Sequence, residues 1–356
     1  MQNNSIVLSF LSIFTLVSFF ITLIAANTTN KYKNYLLDRD FKKPQAFHFS
    51  PIPRIGGTSS VLSLILFFIV YFFLVELILL DYVVISLSLF ILGFLDDIKI
   101  KINPTARLLL MISVLLFCIH FFSIKISYID IKFLNIFFQY KFFSVLFVLL
   151  CFLFIINGAN LIDGFNGLLG IQLVIINTSL MIVNLENNEI NFAIFIAGQI
   201  IILLCFLLFN FPKAKIFLGD SGAYLFGSLV ALNVINTNNL NPNIPSFFFC
   251  IILFYLFFEV FFSFFRKLLL KKSPLKPDNK HLHMLSYKYL KSLSKFKNCN
   301  HINSLLINFV YLLLIFPAFF LRNNAIFCKY WFFSVLILYI LFYLRIYSST
   351  KKQIDI

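Results

Sequence analysis

The segment ILGFLDDIKIKINPTARLLL, residues 91–110, contains the end of one apolar run, a short charged connection and the start of the next apolar run. A helix that crosses the hydrocarbon core of a bilayer needs about 20 mostly apolar residues, and runs of that kind recur along the whole chain. Of the 356 residues, 61% are hydrophobic and only 12% are charged, which is too little polar surface for a water-soluble protein of this length. A β-barrel would show short alternating strands instead. The sequence therefore predicts an all-α, polytopic integral membrane protein.

We predict about 11 transmembrane helices within a single transmembrane domain, residues 1–356. They lie near residues 5–26, 58–75, 78–95, 105–123, 142–159, 167–185, 191–211, 220–237, 246–265, 304–321 and 330–347.

The distribution of Lys and Arg predicts the orientation. If the first helix starts outside, 24 of the 29 basic residues fall on the cytosolic side, as the positive-inside rule requires. This arrangement places the N-terminus outside, the C-terminus in the cytosol and a long cytosolic loop at 266–303. The first apolar run has no preceding Lys or Arg, so we interpret it as an anchor rather than a cleaved signal. The net charge of +15 is explained by topology and anionic lipid, and we expect no nucleic-acid partner.

Two adjacent carboxylates, Asp96 and Asp97, end the third predicted helix. A helix C-terminus carries partial negative charge, so each carboxylate there costs about 0.3–1 kcal/mol. One interpretation is that Lys99, Lys101 and Arg107 compensate as ordinary interfacial charges. The other is that the pair binds a hard cation such as Mg²⁺ or accepts a substrate proton. The spacing alone leaves both open.

A polar stretch, NGANLIDGFNGLLG at 157–170, connects the fifth and sixth predicted helices. On a helix, Asn157, Asn160 and Asp163 share one face, and the neighbouring glycines leave room for a backbone or a ligand. A plain turn is the alternative, but a turn has no need of three amide or acid groups on one face. We therefore interpret the stretch as one wall of a polar cavity.

A further acidic residue, Asp220, lies in FPKAKIFLGDSGAYLFG at 211–227, where the eighth predicted helix begins. Asp is a favourable N-cap residue. A helix N-terminus flanked by glycines also binds a diphosphate or its metal. Both interpretations stay open at this point.

Two of the five histidines, His281 and His283, lie in KKSPLKPDNKHLHMLSYKYL at 271–290. Residues at i and i+2 face the same way in an extended segment, and the surrounding lysines favour an anion over a metal as ligand. A solvated basic loop that faces lipid headgroups is the alternative.

Taken in this order and on one side of the membrane, the four stretches resemble the polyprenyl-phosphate N-acetylhexosamine-1-phosphate transferases, glycosyltransferase family 4. The resemblance runs from PRIGG at 53–57 to HLHM at 281–284. It is closer to the WecA/TagO-like branch than to the MraY-like peptidoglycan branch, because PRIGG and HLHM are more similar to the segments of the former.

The resemblance implies transfer of a sugar 1-phosphate, an N-acetylhexosamine 1-phosphate by default, from a UDP-sugar to a polyprenyl phosphate such as undecaprenyl phosphate, with release of UMP. It implies Mg²⁺, with Mn²⁺ as a substitute, the cytosolic face of the bacterial cytoplasmic (inner) membrane, and the first membrane step of cell-envelope polysaccharide synthesis. A homodimer is left open. By resemblance, the catalytic residues are Asp96, Asp97 and Asp220, and the metal ligands are Asp220 and Asp97. The substrate-binding residues implied are Asn157, Asn160, Asp163, His281, His283, Lys99 and Arg107.

Two positions depart from the family pattern: Asn166 stands where a second Asp is common, and Met284 where a third His is common. The alternative functions are a phospho-N-acetylmuramoyl-pentapeptide transferase, a secondary transporter and a non-catalytic scaffold. A transporter would place its acidic residues near the bilayer midplane. Here they crowd at one surface, and the main exception is Glu259 in the ninth predicted helix, which we interpret as a paired helix residue.

Overall fold

The computed structural model of the protein describes residues 2–28, 36–39, 51–100, 102–274, 278–293 and 299–354. Lys101, residues 29–35 and 40–50, and parts of the predicted cytosolic loop 266–303 lie outside the described residues.

Helices dominate the described chain, and two two-residue strands accompany them. In chain order the elements are α1 (Gln2–Thr28), β1 (Leu37–Asp38), β2 (Ile52–Pro53), α2 (Gly56–Val75), α3 (Leu80–Asp97), α4 (Pro104–Phe121), α5 (Lys132–Phe138), α6 (Lys141–Ile162), α7 (Leu168–Glu186), α8 (Ile190–Asn210), α9 (Gly219–Leu240), α10 (Ser246–Ile252), α11 (Phe254–Leu269), α12 (Leu282–Leu293), α13 (Asn300–Phe320) and α14 (Ala325–Ile354).

All eleven predicted segments coincide with helices, which confirms the all-α polytopic prediction. The ninth segment, 246–265, is not one straight helix, because α10 and α11 meet at a bend of 78°. The sequence prediction did not include α5, α12 or the β1–β2 pair, in which Leu37 lies opposite Pro53.

Within the described ranges, eight helices are long and apolar enough to cross a membrane by themselves, and the bent pair α10–α11 makes up to nine. Helices α3 and α9 run alongside them with 18 and 22 residues. α3 carries three Asp, and α9 has a polar second half, so neither is as apolar as the rest. The protein is a multi-pass membrane protein.

The centre of the bundle explains why α9 can be polar. α9 packs against α2, α3, α6 and α7, and it contacts α8 through a side-chain hydrogen bond. It is buried along most of its length. Asn233 of α9 donates to the Oδ1 atom of Asn177 at 2.9 Å and to the Oε1 atom of Gln199 at 2.8 Å. Because a polar group in hydrocarbon needs a partner, this network keeps α9 between α7 and α8 rather than against lipid.

Candidate active site

The end of α3 meets the start of α9 through Asp97. One carboxylate oxygen of Asp97 accepts a hydrogen bond from the backbone N–H of Asp220 at 3.0 Å, and the other accepts from the N–H of Ser221 at 2.9 Å. These amides form the positive end of the α9 dipole, which stabilises a carboxylate. Asp97 is 2% exposed. The cost of a carboxylate at the end of α3 is therefore offset by the N-terminus of another helix.

Glycines allow this close approach of backbones. Gly219 has φ of +77°, and a Cβ atom there would lie 2.6 Å from the Oδ2 atom of Asp97. A Cβ atom on Gly57, in PRIGG, would lie 2.3 Å from the Oγ atom of Ser221. A side chain at either position would separate the first turn of α9 from its neighbours.

Asp163 follows α6 directly and joins the same region. The backbone N–H of Gly219 donates to its carboxylate, and Asp97 and Asp220 are near enough to act on it electrostatically. Burial, and then the Asp220 carboxylate, raise the pKa of Asp163 well above its ordinary value, while Arg54 opposes them. The structure thus brings together Asp97, Asp163 and Asp220, which we call the acidic cluster.

Two arginines lie among these carboxylates. Arg107, in the first turn of α4, pairs with Asp96, and its Nη1 atom is 3.3 Å from the Oδ2 atom of Asp220. The Nη1 atom of Arg54 is 3.5 Å from Asp97 Oδ1 and 3.7 Å from Asp220 Oδ1. Burial lowers the pKa of Arg54, but the surrounding carboxylates outweigh it and the pKa is raised. Both arginines remain charged.

Sequence reasoning missed Arg54 as a site residue, although PRIGG contains it. The β1–β2 pair positions this arginine, because Asp38 of β1 accepts hydrogen bonds from its Nη2 atom at 2.7 Å and its Nε atom at 3.1 Å. The N–H of Phe217 donates to the carbonyl of Pro53, which ties this strand to the segment before α9. The signal that the sequence offered was an arginine close to two glycines. The carboxylates that Arg54 contacts are distant from it in sequence, so their proximity could not be predicted.

The amide residues of 157–170 differ in their surroundings. Asn160 is 3.5 Å from the hydroxyl of Tyr224, whose ring lies 5.9 Å from the Arg107 guanidinium. Asn157 donates to the carbonyl of Leu153 in its own helix at 2.7 Å. Asn160 therefore borders the arginine side of the site. The substrate-binding role of both residues stays a prediction.

Lys99 lies two residues beyond the end of α3, where it is exposed and has a φ of +65°. Its predicted role toward substrate also stays a prediction.

The two histidines of HLHM, His281 and His283, are buried. His281 faces two carboxylates, Glu259 of α11 at 3.1 Å and Asp278 at 3.2 Å. The ring of His283 lies 5.8 Å from Phe165, which is two residues after Asp163. The HLHM segment thus contacts the loop that carries Asp163, and the anion-binding role predicted for His281 and His283 stays a prediction.

The two departures from the family pattern serve packing here. The backbone N–H of Asn166 donates to Asn300, and its side chain donates to the carbonyl of Pro212 at 3.0 Å. Met284 is fully buried. Neither residue supplies a charge to the acidic cluster.

The donor set suits a divalent cation that is shared with a substrate. In the part of the chain that the structure describes, no three His, Cys, Asp or Glu side chains form a ready-made metal cage. Mg²⁺ is usually held by one or two carboxylates together with substrate phosphates and water. The Asp220 side chain is 22% exposed, whereas that of Asp97 is 0% exposed and accepts two backbone amides. Asp220 is therefore the more accessible oxygen ligand of the predicted pair.

Fold and site together define a multi-pass membrane protein in which carboxylates and arginines from separate helix ends meet at one end of the bundle. Residues 79–238, which include the acidic cluster and Arg107, match the family described as glycosyl transferase family 4. This segment is similar to members of that family.

Three named enzymes are similar to the chain over different lengths. The chain is 29% identical over 279 residues to the undecaprenyl-phosphate alpha-N-acetylglucosaminyl 1-phosphate transferase of Thermotoga maritima, which covers 75% of this chain and 78% of the relative. It is 37% identical over 86 residues to the phospho-N-acetylmuramoyl-pentapeptide-transferase of Clostridium perfringens, covering 24% of this chain and 27% of the relative. The corresponding enzyme of Buchnera aphidicola is 24% identical over 238 residues, 58% of this chain and 69% of the relative.

Proposed function

We propose that the protein transfers a sugar 1-phosphate from a UDP-sugar to a polyprenyl phosphate and releases UMP. The observation that supports this most strongly is the meeting of Asp97, Asp163 and Asp220 with Arg54 and Arg107 at one end of the bundle. Phosphoryl transfer depends on positioning and on neutralising the charge of two phosphate groups that repel each other. A site with carboxylates for a cation and arginines for phosphate oxygens provides both.

Arg54 and Arg107 would bind the phosphate groups of the substrates. A guanidinium presents several donors in a fixed plane that matches phosphate oxygens. Arg54 is oriented by Asp38, and Arg107 by Asp96. The catalytic contribution of Asp96 is then to hold Arg107, since a phosphomonoester is already mostly ionised near neutral pH and needs no base.

Asp220 and Asp97 would hold Mg²⁺, or Mn²⁺ in its place. When bound, the ion would neutralise charge on the diphosphate. Asp97 also fixes the first turn of α9 through two backbone amides, so it positions Asp220 in addition to any direct contact.

The donor would occupy the side of the site that is bordered by Asn160, the 163–167 loop and the HLHM segment. A relative that covers 75% of this chain is an undecaprenyl-phosphate alpha-N-acetylglucosaminyl 1-phosphate transferase, so UDP-N-acetylglucosamine is the first donor to test. Undecaprenyl phosphate in the bacterial cytoplasmic membrane would be the acceptor. UDP-N-acetylmuramoyl-pentapeptide is the second donor to test, because two relatives that are similar over shorter stretches are phospho-N-acetylmuramoyl-pentapeptide-transferases.

The test is UMP release by the purified full-length protein in lipid nanodiscs with undecaprenyl phosphate and a panel of UDP-sugars. We expect release that requires both substrates, stops with EDTA and returns with Mg²⁺ or Mn²⁺. Absence of UMP with every donor would contradict the proposed reaction, and activity that persists in EDTA would contradict the metal.

The matched variants are Asp220→Asn and Asp130→Asn. Asp130 follows α4 at the end of the bundle opposite Arg107. We expect Asp220→Asn to lower kcat by about 10²–10³-fold, as for loss of one electrostatic group at a reacting centre, and Asp130→Asn to leave it unchanged. Equal activity of the two variants would overturn the role of Asp220.

A further inference from the structure

A buried cluster of charged side chains is separate from the acidic cluster and supplies none of the groups that the proposed reaction places on phosphate or metal. We call this cluster the clamp. It consists of Glu259 and Arg266 of α11, Asp278 and His281 of the segment before α12, and Tyr339 of α14. Glu259 is 1% exposed and His281 is 2% exposed. A buried carboxylate or imidazolium is costly unless it is paired, so the contacts of the clamp indicate what it does.

Both nitrogens of the His281 ring face carboxylates. Its Nδ1 atom is 3.1 Å from the Oε2 atom of Glu259, and its Nε2 atom is 3.2 Å from the Oδ1 atom of Asp278. A carboxylate only accepts hydrogen bonds, so each nitrogen must carry a proton, and a ring with two N–H groups is an imidazolium. Both ring nitrogens are thereby occupied by protein.

Glu259 has two further partners that fix it to other elements. Its Oε1 atom accepts from the hydroxyl of Tyr339 at 2.7 Å and from the backbone N–H of Leu282, the first residue of α12, at 3.1 Å. One carboxylate therefore joins α11, α14 and the start of α12. A negative charge at a helix N-terminus is also favourable.

Asp278 is fixed in the same way from its other side. Arg266 donates to its Oδ2 atom at 2.7 Å and to the hydroxyl of Tyr343 at 2.6 Å. The hydrogen bonds and charges of His281 and Arg266 outweigh the effect of burial and lower the pKa of Asp278. Asp278 thus stays ionised beside the imidazolium.

The start of α12 lies beside the 163–167 loop. His283 is fully buried, its ring is 5.6 Å from that of His281, and it contacts Phe165 of the Asp163 loop. Its Nδ1 atom is 3.4 Å from the hydroxyl of Tyr255, and its Nε2 atom has no hydrogen-bond partner within the described structure. A shift of α12 would therefore move His283 against the loop that carries Asp163.

We propose that Glu259 and Asp278 hold His281 as an imidazolium that fixes the start of α12, and with it His283, against the 163–167 loop. Glu259 and His281 are then positioning residues for donor binding, and His281 does not touch the substrate. This deepens the proposed function and rests on it for the kinetic test only.

The first test is ¹⁵N NMR of the full-length protein labelled at its five histidines, with the His281 signal assigned by its loss in His281→Gln. We expect both ring nitrogens of His281 to be protonated at pH 7. In Glu259→Gln, we expect loss of the doubly protonated signal at a lower pH than in the wild type. A neutral His281 at pH 7 in the wild-type protein would overturn the proposal. This measurement needs no activity, so it stands if the proposed reaction fails.

The second test is a double-mutant cycle with UDP-N-acetylglucosamine and undecaprenyl phosphate. We expect Glu259→Gln, His281→Gln and the double variant each to raise the KM for the UDP-sugar by a similar factor, on the order of tenfold, because they remove one shared interaction. The KM for undecaprenyl phosphate should not change. If His281 instead contacts the donor, His281→Gln will add a further loss in the Glu259→Gln background, which would contradict the proposal.

The matched control is Glu186→Gln. Glu186 pairs with Arg322, between the end of α7 and the loop after α13, away from the clamp. It should leave both KM values and the His281 signal unchanged. If Glu259→Gln does not fold, the wild-type NMR result still decides the proposal.

Discussion

At the scale of single residues, the site is organised by arginines whose partners come from distant parts of the sequence. Arg54 contacts Asp38, Asp97 and Asp220, and Arg107 contacts Asp96 and Asp220. Arg107 was predicted to bind substrate, from a resemblance. Arg54 was not, because nothing adjacent in sequence shows that a strand pair would turn it toward α9.

The first prediction concerns Arg54. Arg54→Gln removes a charged donor, and hydrogen bonds to charged groups contribute about 1.5–3 kcal/mol. We therefore expect kcat/KM for UMP release to fall by roughly 10- to 100-fold. Arg54→Lys keeps the charge without the planar set of donors. Its kcat/KM should therefore lie between those of Arg54→Gln and the wild type. Wild-type kcat/KM in Arg54→Gln would contradict a phosphate contact by this residue.

The second prediction concerns pH and the clamp. Burial lowers the pKa of His281, but hydrogen bonds from its ring to Asp278 and Glu259 outweigh it and raise the pKa above the ordinary value of 6.5. Stability from this group is then fully present below pH 6.5 and is lost as the pH rises through the raised pKa. The groups that face His281 are Glu259 of α11, Asp278 of the preceding loop and His283 of α12, and Tyr339 of α14 acts through Glu259.

We expect the Tm of the wild type to exceed that of Glu259→Gln by several degrees at pH 6 and by less at pH 9. The fluorescence of the single tryptophan, Trp331, reports unfolding, because its ring nitrogen donates to the carbonyl of Leu314 across α13 and α14. A Tm difference that is constant with pH would contradict an imidazolium in the clamp.

At the scale of helices, the contact between α3 and α9 positions the acidic cluster. The backbones are close enough that a Cβ atom on Gly93 would lie 2.4 Å from the carbonyl oxygen of Asp220 and 2.6 Å from the Cα atom of Ser221. Backbone atoms cannot rotate away as a flexible side chain can. Gly93 therefore determines how near Asp97 comes to the first turn of α9.

The third prediction is that Gly93→Ala separates these helix ends. Overpacking costs on the order of 1–3 kcal/mol, so we expect a lower Tm together with a loss of UMP release. Ser88→Ala, in the same helix, is the matched control and should change neither. If Gly93→Ala keeps both the Tm and the activity of the wild type, the close backbone contact is not what positions the cluster.

The helices show which features the sequence could predict. Apolar length predicted every long helix, because each must cover the hydrocarbon core. The same criterion joined α10 and α11 into one segment, since a bend of 78° leaves hydropathy unchanged. Apolar length could not predict the clamp either, because Glu259 lies inside an apolar segment and its partners His281 and Tyr339 lie far along the chain.

At the scale of the whole molecule, the bundle has a polar centre and a charged end. α9 carries both: its first turn contributes Asp220, and its interior contributes Asn233 to a buried amide network. The sequence predicted that Asp96, Asp97, Asp163 and Asp220 lie on one side of the membrane, and the structure places Asp97, Asp163 and Asp220 together. The predicted orientation in the membrane, which rests on the Lys and Arg distribution, stays a prediction.

We propose that carboxylates from separate helix ends share a divalent cation with substrate phosphates. The most direct measurement is Mn²⁺ binding by electron paramagnetic resonance, with purified wild-type protein, Asp220→Asn and Asp130→Asn in nanodiscs and with UDP-N-acetylglucosamine present. We predict about one bound Mn²⁺ per chain for the wild type and Asp130→Asn, and at least roughly tenfold weaker binding for Asp220→Asn, as expected when one of the few carboxylate ligands is removed. Equal Mn²⁺ affinity in all three proteins would contradict the account.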